Sequence, residues 1–244
     1  MLYEIAKPFV MAVVRVLWNP TISGTEHIPD RGPVILASNH QAYSDTVFLP
    51  GQVRRSVHFL GKSDIFDGRS PVHRLVAAIM RGIRVMPVDR SGGSASQTAI
   101  QAGLAVLAGG NVLGIYPEGT RSPDGRLHRG KTGVARFALA SGAPVVPVAM
   151  LGAFEAQRGR KYFPRRRPRI RAVVGPPVDV QAVLDAQGGV TEAELLRAVT
   201  DAVMDSIQAL SGQERVDEYA ITVKRRLRAA EGASRDPEEP GTTV

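Results

Sequence analysis

Residues 34 to 45 read VILASNHQAYSD: an apolar run, a short polar stretch, and an aspartate. The run sits behind the turn signal Pro29-Asp30-Arg31-Gly32 and reads as a buried strand. His40 and Asp45 follow it within a few residues. Five residues of helix rotate by about 500°, which would leave these two side chains about 140° apart. If they cooperate, the chain between them must turn. Ser44 and Asp45 are good helix N-caps, so a helix is expected to start there and to end before Pro50-Gly51.

Working outward, the same grammar repeats. TISGTEHIP (21–29) reads as a short strand, SVHFLG (56–61) as another, and IRVMPV (83–88) as a third. PVHRLVAAIM (71–80) reads as a helix with proline at its first position. Residues 94–109 form an amphipathic helix closed by Gly109-Gly110, and GVARFALAS (133–141) a short helix ended by Gly142. NVLGIYP, APVVPVAML and RIRAVVG read as strands, and 191–228 as one helical stretch with Leu195, Leu196, Val199, Val203, Ile207 and Leu210 in a stripe. Strands alternating with helices predict an α/β fold, a central, mostly parallel sheet flanked by helices. Ligand sites in such sheets lie outside the strands' carboxyl ends, where SNHQAYSD and EGTRS both fall. The expected organisation is an N-terminal amphipathic helix over 1–20, one domain over 21–230 and a disordered Pro/Gly-rich tail over 231–244.

Composition narrows the chemistry. A chain of 244 residues with 43% hydrophobic side chains can bury a proper core. It has no cysteine, which excludes disulfides, thiolate metal sites and cysteine nucleophiles. The net charge of +8 is concentrated in RGRKYFPRRRPRIR, 158–171, which holds eight of the 31 basic residues and no acid. The other 23 equal the number of acidic residues, so this one segment matches the whole excess. Its targets are polyanions: nucleic acid, an anionic membrane surface or an acidic protein.

The first 20 residues are interrupted by Glu4, Lys7 and Arg15, too often for a bilayer span and too early for a signal peptide. Leu2, Ile5, Phe9, Val13, Val16 and Leu17 recur at helical spacing, with Trp18 at the end. Such a helix can lie in a lipid interface or pack on its own core.

His27, His58, His73 and His128 read as surface or satisfied structural residues. His40 differs, because a carboxylate at a turn's distance can fix its tautomer and stabilise the imidazolium of a general base. The other reading is an aspartate N-cap beside an incidental histidine. No G-x-S-x-G elbow, Walker loop, dinucleotide fingerprint or second histidine at ligand spacing is present, so no metal is expected. A base here would activate a hydroxyl on the substrate. In YPEGTRS, 116–122, Gly119 allows close backbone approach and Arg121 suits a phosphate, while Glu118 could accept from a polyol or hold the arginine. An ordinary polar turn with an internal ion pair would read the same way.

VILASNHQAYSD, GIRVMPVDR, YPEGTRS and VVPVAMLG, in that order, resemble the four sequence blocks of the glycerolipid acyltransferases. The likeness is greatest to the bacterial 1-acyl-glycerol-3-phosphate acyltransferases and covers roughly residues 20 to 180, including the lead-in ISGTEHIPDRGPVI. The resemblance implies that His40 is the general base and Asp45 its support. It implies that Glu118, Gly119, Thr120 and Arg121 bind glycerol phosphate, with Arg90 and Lys62 adding charge at the phosphate; a surface lysine is the other reading of Lys62. Pro147, in the fourth block, would shape the acyl site. The expected reaction moves an acyl group from acyl-CoA or acyl carrier protein, as co-substrate and without a cofactor, to the sn-2 hydroxyl of lysophosphatidic acid. Other acceptors, such as a lysophospholipid, glycerol 3-phosphate or a glycosylated lipid, or a non-catalytic lipid-binding role, remain alternatives. The implied partner is an anionic membrane surface rather than nucleic acid, held by the 158–171 cluster and by the N-terminal helix over 1–20 as a second, apolar anchor in the membrane interface, and the implied location is the cytoplasmic face of the cell membrane, peripherally attached.

Overall fold

A computed structural model of the chain describes residues 2–62, 74, 84–88, 94–158 and 163–233. The elements are α1 (Leu2–Trp18), β1 (Thr21–Ser23), β2 (Val34–Ser38), α2 (Asp45–Gln52), β3 (Val57–Lys62), β4 (Val85–Val88), α3 (Ser94–Ala108) and β5 (Val112–Ile115). They continue as β6 (Leu127–His128), α4 (Gly133–Ser141), β7 (Val145–Leu151), α5 (Ala153–Gln157) and β8 (Arg171–Val174). The last are α6 (Val180–Ala186), α7 (Glu192–Ser211), β9 (Arg215–Val216) and α8 (Ala220–Ala233).

Seven strands form one sheet in the order β1-β8-β7-β2-β5-β3-β4, with β2 at its centre. Strands β7, β2, β5, β3 and β4 are mutually parallel, and β8 is antiparallel to β7 and carries β1 beside it. All five residues of β2 are buried, because helices cover both faces of the sheet. Successive side chains go to opposite layers. Val34 and Leu36 join Met11, Val14, Phe48 and Leu49 on the side of α1 and α2, while Ile35 and Ala37 join Leu107, Phe137, Val203 and Ile207 on the side of α3, α4 and α7. Full burial of such an aliphatic side chain contributes about 1.5–3 kcal/mol. In register, Ala37 lies between Ile115 and Pro147, so the loops leaving β2, β5 and β7 share the sheet's carboxyl edge.

Several elements depart from expectation. Helix α2 runs through Pro50 and Gly51 to Gln52. Pro50 removes one helical N–H in the last turn only, and buried Phe48, Leu49 and Pro50 hold that turn on the core. The carboxylate of Asp45 does not cap the helix it opens, and the hydroxyl of Ser44 makes no cap bond. The stretch 191–228 is not one helix. Gly212, at φ +66°, ends α7 by donating its N–H to the Gln208 carbonyl, a conformation that costs glycine no Cβ clash. The chain then forms β9, which pairs with β6, and restarts as α8. Helix α6 and the β6–β9 ladder lie in stretches read as irregular or helical. Among the described side chains of α1 the buried ones are Met11 and Val14, outside the expected stripe, whereas Val13 and Val16 face outward. The expected helix at 71–80, apart from residue 74, and the tail beyond Ala233 lie outside the described residues.

Candidate active site

His40 and Asp45 do meet. The turn between them brings His40 Nδ1 to 3.1 Å from Asp45 Oδ2. The same oxygen accepts the backbone N–H groups of Gln41 and Ala42, each at 2.7 Å. Asp45 is fully buried, and those two N–H groups aim its carboxylate back along the loop and onto the ring. The carboxylate fixes the tautomer with the proton on Nδ1, which leaves Nε2 as the basic nitrogen. The Tyr116 ring stacks on the imidazole with centroids 3.9 Å apart and planes within 12°. The enclosed Tyr116 hydroxyl stays neutral: burial and then the charge of Asp45 push its pKa well above the usual phenol value, against a smaller opposing effect of the Thr46 side chain.

Asn39 anchors this loop to the sheet. Its side chain accepts the Met150 N–H at 2.6 Å and donates to the Met150 carbonyl at 3.1 Å, as a further strand residue beside β7 would. It also donates to Gln213 Oε1 at 2.6 Å, and Gln213 in turn donates to the Gly125 carbonyl.

The two loops expected to carry chemistry are tied together through backbone. Glu118 Oε1 accepts the His40 N–H at 2.9 Å, Oε2 accepts the His128 N–H at 3.1 Å, and the Ser122 N–H donates to the His40 carbonyl at 2.8 Å. Glu118 is only 1% exposed and holds no ion pair with Arg121 among the described residues. Burial dominates its titration and pushes its pKa up to about 8, despite the two backbone donors, with Asp45 and Asp124 adding to the rise. Gly119 sits at φ +75°, and a Cβ there would meet the Lys131 stem at 3.1 Å. Thr120 is half-buried at the same turn. The Arg121 guanidinium lies 3.5 Å over the Tyr43 ring. Its pKa is lowered by burial and by Arg228, and Tyr43 and Asp45 oppose that.

Of the remaining candidates, Lys62 closes β3 opposite Val88, at the same carboxyl edge, and its side chain lies outside the described residues, as does Arg90. Pro147 is buried inside β7 against Gly175. His128 is a fully buried structural residue, bonded to Asp124 and to the Glu218 carbonyl. Among the described residues no group of three or more His, Asp or Glu side chains could hold a metal ion. Sequence reasoning missed Gln213, Lys131 and the backbone role of His128, all brought in by β6, β9 and the turns around them. The sequence carries no local signal for these contacts.

A histidine buttressed by a buried carboxylate beside a Gly-Thr-Arg turn can take a proton from a hydroxyl whose neighbour is anionic. A family model described as acyltransferase matches residues 19–151, more than half of the chain. The chain belongs to the acyltransferase family. The match takes in His40, Asp45 and Glu118–Arg121 and stops before the basic segment and α8. A 1-acyl-sn-glycerol-3-phosphate acyltransferase of Bacillus subtilis is 26% identical over 190 residues, 77% of this chain and 86% of that protein. One from Pseudomonas aeruginosa is 29% identical over 163 residues, 66% of this chain and 59% of that protein. A chloroplastic one from Brassica napus is 29% identical over 149 residues, 61% of this chain, and this acyltransferase spans only 42% of its length. The crystal structure of the 1-acyl-sn-glycerophosphate acyltransferase PlsC from Thermotoga maritima shares the fold, with a TM-score of 0.57 at 23% identity over 85% of this chain and 82% of that one.

Proposed function

We propose that this acyltransferase transfers a fatty acyl group from an acyl thioester, acyl-CoA or acyl carrier protein, to the sn-2 hydroxyl of 1-acyl-glycerol 3-phosphate, forming phosphatidic acid. The single observation that carries this reading is the contact between the two loops: Glu118 holds the backbone of His40, so the base and the Gly119-Thr120-Arg121 turn form one unit. His40 Nε2 takes the hydroxyl proton, and Asp45 stabilises the imidazolium. The oxygen attacks the thioester carbonyl, the tetrahedral intermediate collapses with loss of thiolate, and the imidazolium returns its proton to the sulfur. Gly119, Thr120 and Arg121 take the acceptor's glycerol phosphate, joined by Arg90 and Lys62 as the family resemblance implies.

The same reading places the protein peripherally on an anionic leaflet, at the cytoplasmic face. Among the described residues no helix is long and apolar enough to cross a membrane. The support for lipid contact is the outward face of α1, where Val13 and Val16 are 44% and 82% exposed. Phe163 of the basic segment, 69% exposed, stacks on Trp18 beside it.

The test offers lysophosphatidic acid, glycerol 3-phosphate, lysophosphatidylcholine and a glycosylated lysolipid in parallel, with acyl-CoA and acyl carrier protein as donors. Turnover of lysophosphatidic acid is expected, and His40→Ala should lose about 10²- to 10⁴-fold or more in kcat while keeping vesicle binding. Turnover of another acceptor alone sinks the substrate assignment; no turnover of any makes the protein a lipid-binding module.

A further inference from the structure

Most arginines around the second loop have acidic partners. Arg126 pairs with Asp124, Arg129 with Asp217, Arg136 with Glu192, Arg197 with Asp201, Arg215 with Asp201 and Asp205, and Arg226 with Glu218. Four cations beside that loop have none among the described residues: Arg121, Lys131, whose stem lies against Gly119, and then Lys224 and Arg228. The last two lie four residues apart on α8, one turn along the same face.

The fold puts α8 there by a specific route. The β6–β9 ladder pairs Leu127 with Arg215 and His128 with Val216. The Glu218 carbonyl then takes the Arg129 N–H at 3.1 Å and lies 3.2 Å from His128 Nδ1, so the start of α8 is pinned to the strand that follows Glu-Gly-Thr-Arg. Ala220 and Val223 are buried and fix the helix's rotation. Lys224, next to Val223, is therefore half-buried, while Arg228 is exposed one turn further out.

Holding like charges together without a counter-ion costs energy, and burial raises the cost. The cost shows in the titration of Lys224, whose pKa is lowered by burial, then by Arg121, then by Arg228. Arg121 feels Arg228 in the same way and also feels the charge of Asp45, the carboxylate behind His40.

We infer that Lys224 and Arg228 of α8 complete, with Arg121, a subsite for a phosphate monoester dianion, and that this is where the acceptor's phosphate is held. This rests on the reading of the protein as an acyltransferase for a phosphorylated acceptor. A phosphate monoester carries about −1.5 to −2 charges at pH 7, more than Arg121, parked on a tyrosine ring, matches by itself; Lys224 and Arg228 add to it from α8, as Arg90 and Lys62 do from the sequence blocks. The subsite discriminates by charge. Acceptors with a phosphodiester headgroup or no phosphate leave these cations uncompensated, so α8 acts as a specificity element contributed from outside the four sequence blocks.

The experiment measures steady-state kinetics of Lys224→Ala, Arg228→Ala and Lys224→Arg against lysophosphatidic acid, 1-acylglycerol and the acyl donor separately. Lys224→Ala should raise KM for lysophosphatidic acid about tenfold or more, the scale of a charged hydrogen bond, with kcat nearly unchanged and the donor's KM unaffected. On 1-acylglycerol, which has no phosphate, the penalty should vanish, and Lys224→Arg should restore most of the affinity. Arg228→Ala, at an exposed position that folding tolerates, should show a smaller effect of the same kind. An unchanged acceptor KM, an equal penalty on both acceptors, or a rise in the donor's KM instead would overturn the assignment while leaving the proposed reaction standing. If the native chain fails to turn over lysophosphatidic acid, that reaction fails by itself. Calorimetry with glycerol 3-phosphate then decides the subsite: weaker binding in Lys224→Ala supports it, and equal binding overturns it.

Discussion

Glu118 joins the two halves of the site, and it does so with backbone alone. Its two oxygens take N–H groups from residues 78 and ten positions away, so no local pattern in the sequence could announce the role. A glutamate in a Glu-Gly-Thr-Arg turn reads equally well as a sugar acceptor or an arginine partner, and the fold makes it an internal strut. Its titration has a measurable consequence. The folded-state pKa of about 8 stands above the ordinary value of 4.5, so between those limits the folded chain retains a proton that the unfolded chain releases. The Glu118 contribution to stability therefore falls as pH rises through about 4.5 to 8 and levels off above. Urea unfolding from pH 4 to 9 should show that decline in the native chain, and Glu118→Gln should lack it. The glutamine should also cost about 1–3 kcal/mol at pH 5, because its amide nitrogen cannot accept one of the two backbone N–H groups. Parallel pH profiles in the two proteins would refute the assignment.

At the scale of elements, the site depends on how β2, β5 and β7 end together. Asn39 extends β2 by one pairing through its side chain, and this single residue joins three segments: the His40 loop, β7 and the turn at Gln213. Asn39→Ala should lower stability by about 1–3 kcal/mol by leaving the buried Met150 N–H without a partner, and should lower kcat by letting His40 drift. Gln213→Ala breaks only the outer tie and should cost less on both counts. Guanidinium unfolding and single-turnover rates separate these outcomes, and equal effects of the two variants would show that the β7 pairing is not what positions the loop. Legibility follows the range of the forces. The strands were plain because β2 and β7 are buried on both faces, and the glycine stops at Gly110, Gly142 and Gly212 act locally. Gly212 is a local stop of the same kind, but the apolar stripe of α7 runs up to it and masks it in the pattern. The continuation of α2 through Pro50 depends on tertiary burial, and the β6–β9 ladder joins residues some 88 positions apart. Neither leaves a periodic trace.

At the scale of the whole molecule, the excess charge and the apolar helix converge on one surface. Lys7 and Met11 dock α1 onto the end of α2: Lys7 donates to the Val53 carbonyl, and the Met11 side chain fills the space a Cβ on Gly51 would need. Trp18 donates to the Pro164 carbonyl at 2.8 Å, which fastens the basic segment to the end of the same helix. Arg165, Arg166 and Arg167 follow Pro164 directly, and they, Val13, Val16 and Phe163 are all exposed. Stable peripheral attachment takes two signals, and the two here differ in physics. Each arginine near an anionic surface contributes about 1 kcal/mol that salt screens, whereas apolar burial is indifferent to lipid charge. Neutralising the three arginines should thus weaken binding to vesicles containing phosphatidylglycerol by more than tenfold and leave binding to phosphatidylcholine vesicles nearly unchanged. Val16→Asp should weaken both, with no loss of folding stability, because that side chain is already in solvent. Sedimentation with each lipid at low and high salt distinguishes them. A triple-arginine variant that loses both vesicle types equally would mean that the segment serves the fold through Trp18, and that α1 meets the membrane without it.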